Sequence, residues 1–208
     1  MPILHEFKIN HLGRAAIWKI EEPESFFAEA TGITTAISNE KRRIEHLAGR
    51  YLLRFLDKDF PLADIAKDEH DKPRITDNDW FFSISHSWPY VAVALDPLGE
   101  AGIDIQTWHP RIASIKDKYL SDEEQHMLRR DEKHFLLAWC AKEAAYKWNG
   151  RRGVDFIEHL PIVSFDANKE LMIYSQLKEI PQMIFMESLI TDEFACSYVS
   201  KAQNWAIW

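Results

Sequence analysis

The sequence predicts an α+β fold. Residues 38–56 carry apolar side chains at helical spacing, and residues 131–149 form a second long helical segment that ends at Gly150. Strand-like runs with alternating or β-branched residues lie before, between and after these two segments. Because the strands and helices are grouped and do not strictly alternate, antiparallel sheets packed on helices are favoured over a parallel α/β fold.

The first part of the chain is expected to contain two strands, a short helix, a long helix and a meander. The strands are residues 2–9 and 14–20, the short helix runs from Pro23 to Ala30, and the long helix is capped by Ser38. The meander covers residues 80–106. Its strands are Trp80–Ile84, Tyr90–Leu95 and Ala101–Gln106, joined by a tight connection at 85–89 and a turn at 96–99.

The second part begins with helices. Ser121 and Glu124 form a capping box, and the helix at 131–149 follows. Four strand-like runs come next, near 160–166, 170–175, 183–190 and 194–199. We place the boundary between the two parts near Pro97–Glu100, which gives an N-terminal half at 1–99 and a C-terminal half at 100–208.

The composition limits the classes of function. The chain has 208 residues and a net charge of −8, which argues against a general nucleic-acid-binding protein. Its two cysteines, Cys140 and Cys196, have no metal-binding or redox spacing and are expected to be buried free thiols. No apolar run is long enough to cross a membrane, so a cytoplasmic location is expected.

Two separated segments hold the acids most suited to a metal site. Asp104 and Gln106 alternate with apolar residues and therefore share one face of a strand. Glu143 and Lys147 are four residues apart and share one stripe of a helix. If the fold brings Asp104 and Glu143 together, they form an oxygen-lined site for a divalent cation beside positive charge. The alternative is a solvated strand face and an ordinary surface ion pair.

Other candidate residues are polar groups in a connection and in a basic helix. Ser85 and His86 sit in the tight connection, where a hydroxyl, an imidazole and backbone amides can hold a phosphate or simply form a turn. Arg50 and Lys41 belong to the basic helix, whose cations could equally form a solvated face.

Taken in order, these segments resemble the Sfp-type 4′-phosphopantetheinyl transferases. The landmarks are Ala48-Gly49-Arg50-Tyr51-Leu52-Leu53, Lys72-Pro73, Phe82-Ser83-Ile84-Ser85-His86-Ser87, Gly102-Ile103-Asp104-Ile105, Glu124 and Trp139-x-x-Lys142-Glu143-Ala144-x-x-Lys147. The resemblance implies a fold of two similar halves, each an antiparallel sheet packed on a long helix, with coenzyme A (CoA) in a cleft between them. It also implies a monomer.

The resemblance implies Mg²⁺-dependent transfer of the phosphopantetheine arm of CoA to a serine of an acyl or peptidyl carrier protein, with release of adenosine 3′,5′-bisphosphate. No nucleic acid or membrane is expected as a partner. By the same resemblance, Asp104, Glu143 and Gln106 are metal ligands. Glu124 would accept the serine proton, and Lys147 and His86 would contact the CoA phosphates. The remaining CoA-binding residues would be Arg50, Lys72, Pro73, Ser85, Lys142 and Lys41.

Gln106 departs from the pattern, because many relatives have a glutamate two residues after the motif aspartate. A neutral amide adds no charge, so we expect weaker Mg²⁺ affinity with activity retained. Two alternatives stay open: a degenerate module that binds CoA or a nucleotide without turnover, and a purely structural or interaction domain.

Overall fold

The computed structural model describes residues 3–75, 80–129, 131–166, 168 and 170–205, without the side chains of Ile3 and Leu4. The chain forms two compact units, residues 1–101 and 102–208. Each unit contains an antiparallel sheet and a long helix, which confirms the predicted α+β fold class.

The first unit contains a four-stranded sheet of order β1-β2-β6-β5 and a small hairpin, β3-β4. Its strands are β1 (Ile3–Lys8), β2 (Arg14–Lys19), β3 (Ile65–Lys67), β4 (Pro73–Ile75), β5 (Phe81–Ser87) and β6 (Tyr90–Asp96). Its helices are α1 (Glu24–Thr31) and α2 (Glu40–Leu56), with a 3₁₀ turn at Leu62–Asp64.

Helix α2 packs on this sheet because its apolar positions form one stripe. Leu47, Leu52 and Leu53 are buried in a core that also contains Trp18 of β2 and Val93 of β6. The polar side of the helix is left for charged residues, which include the basic residues singled out in the sequence.

The second unit contains a five-stranded sheet of order β7-β11-β10-β9-β8. The strands are β7 (Ile103–Thr107), β8 (Ile162–Phe165), β9 (Leu171–Ser175), β10 (Gln182–Ile190) and β11 (Phe194–Asn204). The helices are α3 (Pro110–Ser114), α4 (Asp122–Met127) and α5 (Glu132–Asn149), with a 3₁₀ turn at Lys116–Lys118.

Helix α5 is buried over much of its circumference. Asp131 caps its first turn by accepting from the backbone N–H of Lys133, and Gly150 ends it in the left-handed conformation. Small residues, among them Ala141, Ala144 and Ala145, let it lie close to the sheet. The predicted helix at 131–149 and the capping box of Ser121 and Glu124 are both confirmed.

The predicted meander is wrong in its third strand. Strand β6 already pairs with β2 on one edge and with β5 on the other, so it has no edge left for β7. Strand β7 pairs with β11, which places Asp104 opposite Ser197 in the second sheet. The hydrophobic alternation of residues 103–106 correctly predicted a strand, but it does not reveal which strand pairs with β7.

Two local predictions also need correction. Ser85 and His86 belong to β5, because the antiparallel pairing with β6 continues to Ser87 opposite Tyr90 and leaves only Trp88-Pro89 as the connection. The cap of α2 is Asn39 rather than Ser38, since the Asn39 side chain accepts from the backbone N–H of Arg42 at 3.0 Å.

Candidate active site

The site begins with a close approach of β7 and α5. A Cβ atom added to Gly102 would lie 2.2 Å from the carbonyl oxygen of Ala144 and 2.8 Å from Cβ of Trp148. Only a residue without a side chain allows this separation. The close approach sets the start of β7 directly against the last two turns of α5.

As a consequence, three of the predicted site residues of the second unit, Asp104, Glu143 and Lys147, lie in one region. Lys147 of α5 donates to the carboxylate of Asp104 at 2.6 Å and to the carbonyl of Ile103 at 3.2 Å. Asp104 is 6% exposed. Burial and the nearby charge of Asp104 raise the pKa of Glu143 to about 7, although Lys147 opposes this. Glu143, 39 positions from Asp104 in the sequence, is therefore near enough for the charge of Asp104 to act on it, and Lys147 pairs with Asp104.

This donor set fits a hard divalent cation. Two close carboxylates, one of them with a raised pKa, repel each other and gain from a shared positive ion. Mg²⁺ commonly takes one or two protein carboxylates and keeps waters or substrate phosphates as its other ligands. In the part of the chain that the structure describes, no group of three or more His, Cys, Asp and Glu side chains could hold a metal ion, so the protein would supply only a partial ligand set.

Gln106 lies on the same strand as Asp104, but its side chain has a different hydrogen-bond partner. Its side-chain amide donates to the neighbouring carbonyl of Thr107 at 3.1 Å, and the residue is partly buried. A carboxylate cannot donate a hydrogen bond, so a glutamate at this position would lose that contact. Its predicted role as a metal ligand stays a prediction.

Both cysteines lie buried in the second unit, as predicted. Burial and the negative charge of Asp104 raise the pKa of Cys140 and of Cys196. The two groups therefore remain neutral thiols at physiological pH and act as small apolar side chains beside the carboxylate.

Glu124 and Lys142 form a separate buried pair. The ammonium of Lys142 lies 2.5 Å from the carboxylate of Glu124 and donates to the carbonyls of Tyr119 and Phe156 at 2.7 and 2.9 Å. The same carboxylate accepts from the backbone N–H groups of Ser121 and Ile162. Burial lowers the pKa of Lys142, although Glu124 opposes this.

This geometry changes the interpretation of Lys142. The residue has 0% exposure and three acceptors for its three N–H donors, so it offers nothing to a phosphate in this structure. In this structure Lys142 has a structural role, which ties α5 to α4 and to the segment around Phe156. Its predicted CoA contact stays a prediction. Glu124 is 3% exposed, so a serine of a carrier protein would have little direct access to its carboxylate.

The first unit holds the remaining predicted residues. Lys72, next to Pro73 at the start of β4, pairs with Glu100 at 2.7 Å, and Arg74 pairs with the other oxygen of Glu100 at 2.7 Å. Burial lowers the pKa of Lys72, although Glu100 opposes this. The sequence analysis did not single out Glu100. This residue directly follows the turn at 96–99, and nothing in the sequence indicates that it pairs with residues almost thirty positions earlier.

Strand β5 and helix α2 bring further predicted residues into one region of the first unit. Ser85 is buried, and His86 is half-exposed with its Nδ1 3.2 Å from the carboxylate of Glu45. Lys41 lies over the ring of Trp88 at 5.5 Å. Burial lowers the pKa of Arg50, which is still a cation at any physiological pH.

A separate cavity of about 620 Å³ lies in the second unit. It is lined by residues of α3, α4, α5 and the 3₁₀ turn, including Lys116, Asp122, Gln125, Glu132 and Phe135. None of the predicted site residues lines it. Its lining mixes both signs of charge and does not repeat the paired carboxylates of β7 and α5.

Comparison with known proteins supports the resemblance found in the sequence. The family model described as the 4′-phosphopantetheinyl transferase superfamily matches residues 100–199, the segment that contains Asp104, Glu143 and Lys147. This segment, just under half of the chain, is similar to that superfamily, and the resemblance found in the sequence is confirmed at that level.

One similar curated protein comes from Haemophilus influenzae and is named "Putative 4′-phosphopantetheinyl transferase". It is 29% identical over 138 residues, which cover 62% of this chain and 59% of the relative. The match therefore spans about three fifths of each protein.

Within the described residues, no helix is both long and apolar enough to cross a bilayer.

Proposed function

We propose that this protein transfers the 4′-phosphopantetheine arm of CoA to a serine hydroxyl of an acyl or peptidyl carrier protein in a Mg²⁺-dependent reaction. The observation that carries the proposal is the convergence of Asp104, Glu143 and Lys147 on β7 and α5. Similarity to the superfamily over residues 100–199 supports the reaction class. The two free thiols agree with a reducing, cytoplasmic setting. From the family resemblance we also expect a monomer.

In this reaction the serine oxygen forms a bond to the phosphorus that bears the pantetheine arm, and the P–O bond to the second phosphate breaks. Adenosine 3′,5′-bisphosphate leaves with the electron pair, and the serine proton passes to a base. A bound Mg²⁺ would neutralise the charge of the diphosphate. Asp104 and Glu143 would hold that ion.

Lys147 would turn from Asp104 to the phosphates when the substrate binds. Its position fits this role, because an ammonium paired with a carboxylate of the metal site is already beside the place where a metal-bound phosphate would lie. Positive charge fixed there stabilises negative charge that develops on the leaving group. In the first unit, His86, Arg50 and Lys72 would bind the nucleotide end of CoA, with Pro73, Ser85 and Lys41 beside them.

Proton acceptance by Glu124 stays a prediction. The buried pair with Lys142 argues for a structural role, since the carboxylate already accepts from Lys142 and from the backbone N–H groups of Ser121 and Ile162. A water molecule at the metal site is the alternative route for the proton.

The test is intact-mass analysis of a panel of apo-carrier proteins incubated with CoA and the protein. With MgCl₂ at least one carrier should gain the mass of one phosphopantetheine group, and EDTA should abolish the gain. Asp104→Asn should remove turnover and retain the fold, because the amide keeps the shape of the carboxylate. Mass gain by Asp104→Asn at the rate of the unchanged protein would refute the assigned metal site.

A second candidate is a module that binds CoA or a nucleotide without transferring anything. Gln106 favours it, since this position contributes no charge to the metal site and its amide is engaged with Thr107. Such a module binds CoA in a calorimetric titration and leaves every apo-carrier unchanged in mass.

A further inference from the structure

A carboxylate buried on α2 faces the histidine of β5. Glu45 is 5% exposed, while the His86 side chain is 50% exposed, and the Glu45 Oε2 to His86 Nδ1 distance is 3.2 Å. The contact exists because α2 lies close to β5 at Gly49, where an added Cβ would be 3.0 Å from Cγ2 of Ile84. The buried end of this pair is the acid, and the exposed end is the imidazole.

The groups around the pair are basic. His46 and Arg50 lie near it on α2, and burial, Arg50 and His86 together lower the pKa of His46 to about 4. His46 is therefore neutral at pH 7 and adds no charge. Arg43 of the same helix is already paired with Glu24 of α1 at 2.7 Å, so it does not balance the charge of Glu45.

Arg50 has a different status from Arg43. Among the described residues no hydrogen bond or ion pair of its guanidinium with another side chain is found, although burial lowers its pKa. Arg50 and His86 both act on His46, so a partly buried cation and a half-exposed imidazole lie in one region, which is a suitable place for an anion.

The contact also fixes which nitrogen of His86 is available. A neutral imidazole has one donor and one acceptor nitrogen, and only the imidazolium donates from both. With Nδ1 directed at Glu45, the proton on Nδ1 is held by the carboxylate, and Nε2 is left for another partner. A second proton on Nε2 makes the ring a donor to a phosphate oxygen while Nδ1 still donates to Glu45.

We propose that Glu45 is a positioning residue for CoA binding. It orients His86 so that Nε2, the nitrogen that the carboxylate does not hold, faces the phosphates of CoA. This inference rests on the proposed function, since it takes CoA as the ligand of His86. The competing interpretation is that the pair only fastens α2 to β5.

The experiment measures CoA affinity by calorimetry for Glu45→Gln, Glu45→Ala, His86→Ala and the Glu45→Ala/His86→Ala double variant. Glu45→Gln keeps an acceptor for Nδ1 but replaces a charge-assisted hydrogen bond with a weaker neutral one, so His86 is held less firmly and CoA should bind roughly three- to tenfold more weakly. Glu45→Ala should bind more weakly still. In the His86→Ala background, Glu45→Ala should have no further effect, because Glu45 acts through His86.

The matched control is Glu40→Gln. Glu40 is an exposed acid on the same helix, five positions earlier, and its substitution removes the same charge. CoA affinity of Glu40→Gln should stay within about twofold of the unchanged protein. Equal losses for Glu40→Gln and Glu45→Gln, or additive losses for Glu45→Ala and His86→Ala, would overturn the proposal.

A second readout does not depend on CoA. Nitrogen-15 NMR of the neutral His86 ring should show the proton on Nδ1 in the unchanged protein and in Glu45→Gln, and a shift toward Nε2 in Glu45→Ala. The Nε2–H form in the unchanged protein would overturn the orientation. If the unchanged protein binds no CoA while Nδ1 carries the proton, the proposed function and the ligand fail, but the orientation by Glu45 stands.

Discussion

Replacement of Gly102 by alanine should separate β7 from α5 and so disrupt the candidate metal site. The new Cβ would lie 2.2 Å from the backbone oxygen of Ala144, which is about 1 Å closer than an ordinary contact. The second clash, 2.8 Å from Cβ of Trp148, also involves an atom that cannot rotate away. Overpacking of this kind destabilises a protein by ~1–3 kcal/mol.

The effect on turnover should exceed the effect on stability. A shift of about 1 Å between Asp104 on β7 and Lys147 on α5 can lower the rate by roughly 100-fold even in the folded protein. Urea unfolding followed by tryptophan fluorescence measures the loss of stability. Carrier-protein mass gain, under conditions where the variant is folded, measures the loss of turnover.

Gly99→Ala is the matched control. A Cβ at Gly99 meets no atom within 4 Å. The free energy of unfolding of this variant should therefore lie within about 1 kcal/mol of that of the unchanged protein, and turnover should be fully retained. If Gly102→Ala unfolds and reacts like Gly99→Ala, the close approach at Gly102 does not position the site.

Three further predictions concern single side chains. The pKa of His46 is about 4 in the fold against 6.5 in an unfolded chain, so the unfolded state binds the extra proton and stability is lost as the pH falls from 6.5 toward 4. Between pH 7 and pH 5 the free energy of unfolding, measured in urea, should fall by roughly 1–2 kcal/mol less in His46→Gln than in the unchanged protein, allowing for the partial exposure of His46. An unchanged pH dependence would contradict this. Lys142→Met leaves the buried Glu124 carboxylate without its counter-charge and should cost ~3–5 kcal/mol, which Lys142→Met/Glu124→Gln should partly restore; a single variant as stable as the unchanged protein would refute the buried pair. Gln106→Glu should lower the Mg²⁺ concentration that gives half-maximal mass gain, and an unchanged Mg²⁺ dependence would count against a place for residue 106 in the metal site.

The sequence predicted the elements well because their signals are local. Helical spacing and a terminal glycine gave α5, and the serine and glutamate of the capping box gave the start of α4. The partner of β7 could not be predicted, since an alternating strand fits the edge of either sheet. The position of His86 was missed for a related reason: Ser-His-Ser is common in turns, but here the ladder with β6 extends through it.

The candidate site was predicted in part. The order of the motifs identified Asp104, Glu143 and Lys147, but their convergence depends on Gly102, whose role appears only when a helix lies against it. The sequence also gave no means to tell Lys142 from Lys147. Both are lysines of one helix five positions apart, and the direction of each side chain into the core or toward Asp104 is set by tertiary packing.

The most direct test asks whether Asp104 and Glu143 bind one and the same ion. Mn²⁺, used as a paramagnetic substitute for Mg²⁺, can be titrated in the presence of CoA into the unchanged protein, Asp104→Asn, Glu143→Gln and the double variant, with binding followed by electron paramagnetic resonance. We expect one tight ion in the unchanged protein, large losses in both single variants, and a double variant little worse than either. Independent, additive losses or unimpaired binding in a single variant would contradict a shared site.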